Sequence, residues 1–256
     1  MNKYWFKNYN LLTFDELDST NSEAIRLAKT GIVGNHIILA KRQTAGRGRN
    51  NKYWHSDDGN LYFSLLLDVE APIEIQPQLS LVTGLAVYNS IKFFAKTEFV
   101  NLDCKLKWPN DVLIGDKKLS GILLESINVP THKNSVVKKY LIIGVGINVA
   151  TNPMNIGRET TSLLEEGIII KDLMEVLLVF MNYFEEFVAI WKEEGFISLR
   201  NDWLRIAYKL NNPVTICNGS DKISGIFHDI DNMGRFRVLL KSGDIITLSE
   251  SEIIYE

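Results

Sequence analysis

Short apolar runs alternate with amphipathic stretches over the first 150 residues of the chain. Leu11 to Leu17 reads as a strand. Thr20 and Glu23 then have the spacing of a capping box, opening an amphipathic helix through Ala28. His36 to Arg42 and Leu61 to Leu67 are β-prone apolar runs, whereas Leu79 to Phe94 is long enough and apolar enough for a helix lying over a sheet. The β pattern returns in Lys105 to Trp108, Val112 to Ile114, Leu119 to Ser126 and Tyr140 to Val149, with Gly115-Asp116 as a tight hairpin turn. The polar stretch Pro130 to Lys139 is a solvated loop or a strand extension.

A second helical block follows. Lys171 to Glu194 places Leu173, Val176, Leu177, Phe180, Phe184, Phe187 and Trp191 three and four residues apart, the stripe of a helix packed on a core. Phe196 to Ala207 continues as a shorter helix. From Pro213 the pattern changes to short strands separated by Asn218-Gly219, Asn232-Met233-Gly234 and Ser242-Gly243, which predicts a small antiparallel barrel or sheet of about 45 residues. A boundary near Asn211-Asn212-Pro213 divides the chain into residues 1–210 and 211–256. No internal repeat or low-complexity segment is present.

Composition narrows the function classes. The 256 residues are 46% hydrophobic, enough for one substantial core with a small second domain. A net charge of −3 and an isoelectric point near 5.9 argue against wholesale nucleic-acid binding. Cys104 and Cys217 are far apart and lack CxxC or histidine partners, which points to free thiols in a reducing cytoplasm rather than a disulfide or zinc site. Met1 to Lys7 lacks the apolar core of a signal peptide, and no later run reaches about 18 apolar residues. A soluble, cytoplasmic protein is expected, and Asn218-Gly219-Ser220 reads as a turn rather than a glycosylation site.

Four polar clusters interrupt the β-prone segments. Asp18-Ser19-Thr20-Asn21 offers hydroxyls and an amide at a helix start, suited to capping or to a neutral polar ligand. The loop from Gln43 to Trp54 holds Gly46, Arg47, Gly48 and Arg49: glycines that let the backbone approach a ligand, and guanidinium forks that match phosphate or carboxylate oxygens. Lys107, Asn110 and Asp111 surround Trp108-Pro109, with Lys118 across the hairpin. The last is Gly144-Val145-Gly146-Ile147-Asn148, which is neither a GxGxxG fingerprint nor a phosphate-binding GxxxxGK[ST] loop.

In order and spacing these clusters resemble the biotin protein ligase family: DSTN before a helix, QTAGRGR ending a strand, then W, NLYFS, KWPND, KLSGIL and GVGINV. The resemblance covers Leu17 to Asn148 strongly and the C-terminal β segment more loosely. It implies an α+β fold, a mixed β-sheet with helices packed on it like the class II aminoacyl-tRNA synthetases, plus a small C-terminal SH3-like β-barrel. It also implies an ATP-dependent ligase that converts biotin and ATP to biotinyl-5′-AMP and passes the biotinyl group to a lysine of a biotin carboxyl carrier domain, such as that of acetyl-CoA carboxylase. The alternative is a lipoate or octanoate ligase or transferase of the related family.

Carried over by motif, Ser19, Thr20, Asn21 and Gln43 would bind the ureido ring of biotin. Gly46, Arg47, Gly48 and Arg49 would fold over the carboxyl end, and Lys118 and Gly121 would line the same pocket. Lys118 would contact the biotin carboxyl oxygen and Lys107 the phosphate. Trp54 would pack on adenine, with Asn110 and Asn148 near the nucleotide. Asp111 would take a catalytic or magnesium-associated role, orienting Lys107 or accepting a proton. Mg2+ is expected with ATP, its ligands left open. Where family members often carry a glycine, this chain has Asn50-Asn51, and asparagine tolerates the left-handed backbone such a turn needs. The loop is expected to be disordered until an anion relieves its self-repelling cations. Seventeen residues precede the DSTN motif, too few for a winged helix, so no operator DNA binding is expected; pairing as a homodimer through the sheet is what the family implies.

Overall fold

The computed structural model describes residue 6 and residues 8–68, 74–130, 137–154, 157–218, 221–249 and 251–255. The seven-stranded mixed sheet has the order β1-β2-β3-β7-β6-β5-β4. Its strands are β1 (Tyr9–Leu17), β2 (Asn35–Gln43), β3 (Leu61–Asp68), β4 (Cys104–Lys107), β5 (Asp111–Ile114), β6 (Lys117–Pro130) and β7 (Val137–Ile147). The β1–β2 pair is parallel and the others antiparallel. The tight turn at Gly115-Asp116 joins β5 to β6 as expected. Strands β6 and β7 extend into the polar stretch expected between them, part of which, residues 131–136, lies outside the described residues. So do the turn residues Gly219 and Ser220 and most of the N-terminal stretch, residues 1–5 and 7.

Period-two alternation sorts the central strands between two faces. Leu61, Phe63, Leu65 and Leu67 on β3, with Leu141, Ile143, Val145 and Ile147 on β7, join one apolar cluster with helices α2 (Gln78–Thr97) and α3 (Leu173–Glu194). Leu66, Tyr140 and Ile142 face the other way, onto Ala24 and Ala28 of α1 (Thr20–Lys29). Burial on both faces is why β3 reads as an apolar run with Ser64 its one small polar residue. On α3 the predicted stripe is the packed face: Val176, Leu177, Phe180, Phe184 and Trp191 are buried, each contributing about 1.5–3 kcal/mol by removal from water.

The capping box is not formed. Ser19 is the N-cap of α1 and makes no side-chain cap, Glu23 pairs with Arg26, and the Thr20 hydroxyl turns inward to Gln43. The helix start is instead tied by Asp18, which accepts from the Ser19 amide at 2.7 Å and from Arg26. Those partners hold its carboxyl down at about 2.

Helix α4 (Ile197–Arg205) leads to a second, antiparallel sheet. It comprises β8 (Pro213–Asn218), β9 (Asp221–Ile230), β10 (Phe236–Leu239), β11 (Ile245–Leu248) and β12 (Glu252–Tyr255), in the order β11-β10-β9-β8-β12. A closed barrel is not seen: among the described residues β11 and β12 do not pair. The sheet completes its core against the first sheet rather than by rolling up on itself. Phe227, Phe236, Val214 and Val238 share the apolar cluster of α2 and α3, Trp108 stacks obliquely on Phe236, and the Trp108 indole donates to Gly234 O at 3.0 Å.

Candidate active site

A cavity of about 690 Å³ opens on the α1 face of the large sheet, between the N-terminus of α1, the 44–54 loop, the β4–β5 turn and strand β12. Its floor follows from the sheet register. Gly121 pairs with Gly146 and Leu123 with Gly144, so three of these four positions carry no side chain on the open face. The space is filled at contact distance. A Cβ at Gly146 would stand 2.5 Å from the Trp54 ring, and one at Gly144 would stand 2.2 Å from Asn21 Oδ1.

One end of the cavity is a hydrogen-bond lattice of neutral side chains that ends on the Glu125 carboxylate. Gln43 Oε1 accepts from the Thr20 amide at 2.8 Å and the Thr20 hydroxyl at 3.2 Å, while Gln43 Nε2 donates to Ser56 Oγ at 2.8 Å. Ser64, fully buried in the middle of β3, lies 2.7 Å from Thr20 Oγ1 and donates to Asn21 Oδ1 at 2.6 Å. Asn21 Nδ2 donates to Glu125 at 2.8 Å. Because each buried polar group is held by its neighbours, the lattice presents fixed donors and acceptors rather than floppy ones.

The other end is cationic. Arg47, Arg49, Lys52, Lys107, Lys118 and Arg158 line the cavity, against the carboxylates Asp111 and Glu252. Lys118 is buried and donates to Asp111 in a very short contact, and Arg158 Nη1 stands 3.9 Å from the other oxygen of the same carboxylate. Burial lowers the pKa of Lys118 despite the opposing pull of Asp111, and burial likewise lowers that of Lys107. Asp111 is the register partner of Lys107 and attracts it at longer range, while its ion pairs are with Lys118 and Arg158. The Lys118 ammonium also sits 5.2 Å from the Trp54 ring centroid.

The glycine-arginine loop has a defined path. Gly48 N donates to Lys52 O at 2.7 Å, and Asn50 and Asn51 adopt φ of 53° and 57°, the left-handed backbone that asparagine tolerates. Arg47 makes a bidentate pair with Glu125, at 2.9 and 2.7 Å. The expected self-repulsion therefore omitted a counter-charge: Glu125, held by Asn21 from below, neutralises the first arginine of the loop.

Most of the residues singled out in the sequence meet here: Ser19, Thr20, Asn21, Gln43, Arg47, Gly48, Arg49, Trp54, Lys107, Asn110, Asp111, Lys118 and Gly121 all line the cavity. Two do not. Gly46 pairs across the loop with Trp54, whose amide donates to Gly46 O at 2.9 Å, and a Cβ there would stand 2.3 Å from Trp54 O, so its lack of a side chain lets the loop close. Asn148 is buried beside a small adjoining cavity, donating to Thr161 O at 3.0 Å. Asn110 bridges the two sides, donating to Ile122 O at 2.7 Å and accepting from Arg49 at 3.5 Å. Residues outside the sequence motifs are Glu125, Arg158 and the β12 segment through Tyr255, while Ser64 closes the NLYFS motif but was given no role there. Of these, Ser64 left a trace, as a lone hydroxyl inside an apolar strand.

A neutral lattice and a cationic wall thus share one cavity, with glycines at three of the four floor positions between them. The family model described as the biotin/lipoate A/B protein ligase family matches residues 14–148, and that described as the biotin protein ligase C terminal domain matches residues 209–255. The chain belongs to the biotin/lipoate A/B protein ligase family. It is 32% identical over 235 residues to a biotin--[acetyl-CoA-carboxylase] ligase of Paracoccus denitrificans, covering 85% of this chain and 89% of that one. It is 39% identical over 145 residues to the bifunctional ligase/repressor BirA of Bacillus subtilis, of which the match spans 42% and of this chain 56%. Among solved structures, the biotin protein ligase from Aquifex aeolicus in complex with biotin and ATP aligns with a TM-score of 0.77 and 30% identity, over 98% of this chain and 100% of that one.

Proposed function

We propose that the protein is a biotin protein ligase: it joins biotin to ATP as biotinyl-5′-AMP, releasing pyrophosphate, and transfers the biotinyl group to a lysine of a biotin carboxyl carrier domain. The observation that carries this reading is the division of one cavity into a neutral lattice and a cationic wall, within a chain whose relatives are named as such ligases.

In the first step a biotin carboxylate oxygen attacks the α-phosphorus of ATP, the bond to the β-phosphate oxygen breaks, and pyrophosphate leaves. The two reactants are both anions. Lys118 on the carboxylate, with Lys107 and Arg49 on the phosphates, offsets their repulsion and stabilises the charge gathering at phosphorus, and Asp111 fixes Lys118 without reaching across to the phosphate. Ser19, Thr20, Asn21 and Gln43 hold the ureido ring, and Arg47 exchanges Glu125 for the ligand as the loop settles over it. Trp54, packed against Gly121 and Gly146, lines the cavity and would pack on adenine. In the second step the neutral acceptor amine attacks the acyl carbon, AMP leaves, and the amine proton is lost near Asp111.

Among the described residues no three histidine, cysteine, aspartate or glutamate side chains converge. Mg2+ would arrive with ATP, a metal that characteristically keeps phosphate and water ligands with one or two carboxylates, and Asp111, paired with Lys118 and Arg158, would offer it at most one oxygen. Among the described residues no helix is long and apolar enough to cross a membrane, and the use of ATP and a carboxylase carrier fits the cytoplasm. A division near residue 211 and self-pairing belong to the same proposal, and sedimentation tests the second. The transfer step is tested with a purified carrier domain, labelled biotin and ATP. Label is expected on the carrier and absent from its Lys→Arg variant; an unlabelled carrier in the presence of adenylate formation would refute transfer.

A further inference from the structure

Lys107 is held in an unusual way for a cation. Among the described residues its ammonium makes no hydrogen bond and no ion pair with a carboxylate. Instead it stands 4.8 Å from the ring centroid of Tyr255 and 5.8 Å from that of Tyr208, both within the range at which a ring face attracts a cation. The two rings are themselves tilted together with centroids 5.4 Å apart. Each is anchored from a different part of the chain. Tyr208 follows α4; its amide donates to Leu106 O at 2.8 Å, alongside Lys107, and its hydroxyl donates to Asp116 at 2.7 Å. It also carries Lys209, 5.5 Å from its centroid. Tyr255 ends β12, packs edge-on against Phe236 in the core of the second sheet, and donates to Trp108 O at 3.5 Å.

We propose that Tyr208 and Tyr255 form an aromatic bracket that fixes the Lys107 ammonium at the phosphate end of the cavity, so that the C-terminal sheet positions a cation for the adenylation step. The reasoning is electrostatic. A carboxylate partner would fix the lysine but compete with the incoming phosphate for its charge, whereas a ring face orients the ammonium and leaves its net charge for the ligand. Ring faces also exclude water, consistent with the lowered pKa of Lys107 that its burial causes. Tyr208 and Tyr255 are positioning residues: they act through Lys107.

The inference rests on the reading of Lys107 as a phosphate-binding cation, and one double-mutant cycle separates the two. Biotin-dependent pyrophosphate exchange is measured for the full chain, for Tyr255→Leu, Tyr255→Phe and Tyr208→Leu, and for each Leu variant combined with Lys107→Met. Loss of a partly desolvated ring–cation contact corresponds to roughly a tenfold drop in kcat/KM for ATP. The expected results are that drop in both Leu variants with the KM for biotin within about twofold, recovery of most of it in Tyr255→Phe, and little further loss when either Leu change is added to Lys107→Met. Should Tyr255→Leu not fold, Tyr208→Leu, whose hydroxyl partner is on the surface, carries the cycle. If Lys107→Met leaves the ATP dependence unaltered, the reading of Lys107 is wrong. If Lys107→Met is impaired but the tyrosine changes cost the same with and without Lys107, the bracket is wrong and the reading of Lys107 stands.

Discussion

Replacing Gly144 by alanine tests the floor of the cavity. The added Cβ would stand 2.2 Å from Asn21 Oδ1 and 2.9 Å from Asn21 Cγ, so Asn21 must withdraw by roughly 1 Å to reach contact distance. Withdrawal breaks the 2.6 Å bond from Ser64 and the 2.8 Å bond to Glu125. Loss of one ligand hydrogen bond from the displaced amide costs about 1 kcal/mol, and overfilling a packed site adds about 1–2 kcal/mol. At 1.4 kcal/mol per tenfold, biotin affinity should weaken about 30- to 150-fold. Titration calorimetry with biotin reads this directly, while the KM for ATP should move by no more than about threefold, because Lys107 and Arg49 make no contact with Asn21 and only Arg47, through Glu125, is reached indirectly. Wild-type biotin affinity in Gly144→Ala would refute the assignment of the Asn21 lattice to the ring of biotin.

Gly84 is the counter-case on the opposite face: in the interior of α2, its Cβ would meet nothing closer than 3.6 Å, so Gly84→Ala should stabilise the fold by about 0.5–1 kcal/mol in denaturant unfolding, and destabilisation would show that α2 packs differently. Burial lowers the pKa of Lys118 and Lys107 below the ordinary lysine value, and both must be protonated to bind anions. Pyrophosphate exchange should therefore fall as pH rises, with a midpoint below 10.5; activity level up to pH 10.5 would contradict that role. Glu125→Gln weakens the bidentate hold on Arg47 in a partly exposed pair. Stability should change by less than about 1 kcal/mol, while limited proteolysis at Arg47 to Lys52 should quicken in the ligand-free protein, and an unchanged cleavage rate would remove Glu125 as the loop's counter-charge.

The sequence showed the strands and long helices because their periodicities are local, and most of the cavity because its residues cluster in short motifs. What it hid was register and distance. Nothing local to Glu125 says that β6 carries it opposite Arg47, 78 residues away. Tyr255 reaches the cavity only because β12 pairs with β8 and the second sheet leans on Trp108. The capping box failed for a related reason: Thr20 had a tertiary partner, Gln43, that outcompeted the local cap. Of the barrel or sheet that the C-terminal pattern allowed, the described residues form the open sheet, whose apolar face joins the cluster of α2 and α3.

The central claim is that this cavity activates a carboxylate with ATP and that the carboxylate is biotin's. Exchange of labelled pyrophosphate into ATP, run with biotin, lipoate and octanoate in parallel, tests it most directly. Exchange with biotin, and not with the other two acids, is the predicted result; exchange with lipoate or octanoate in its place, or with none of the three, would contradict it.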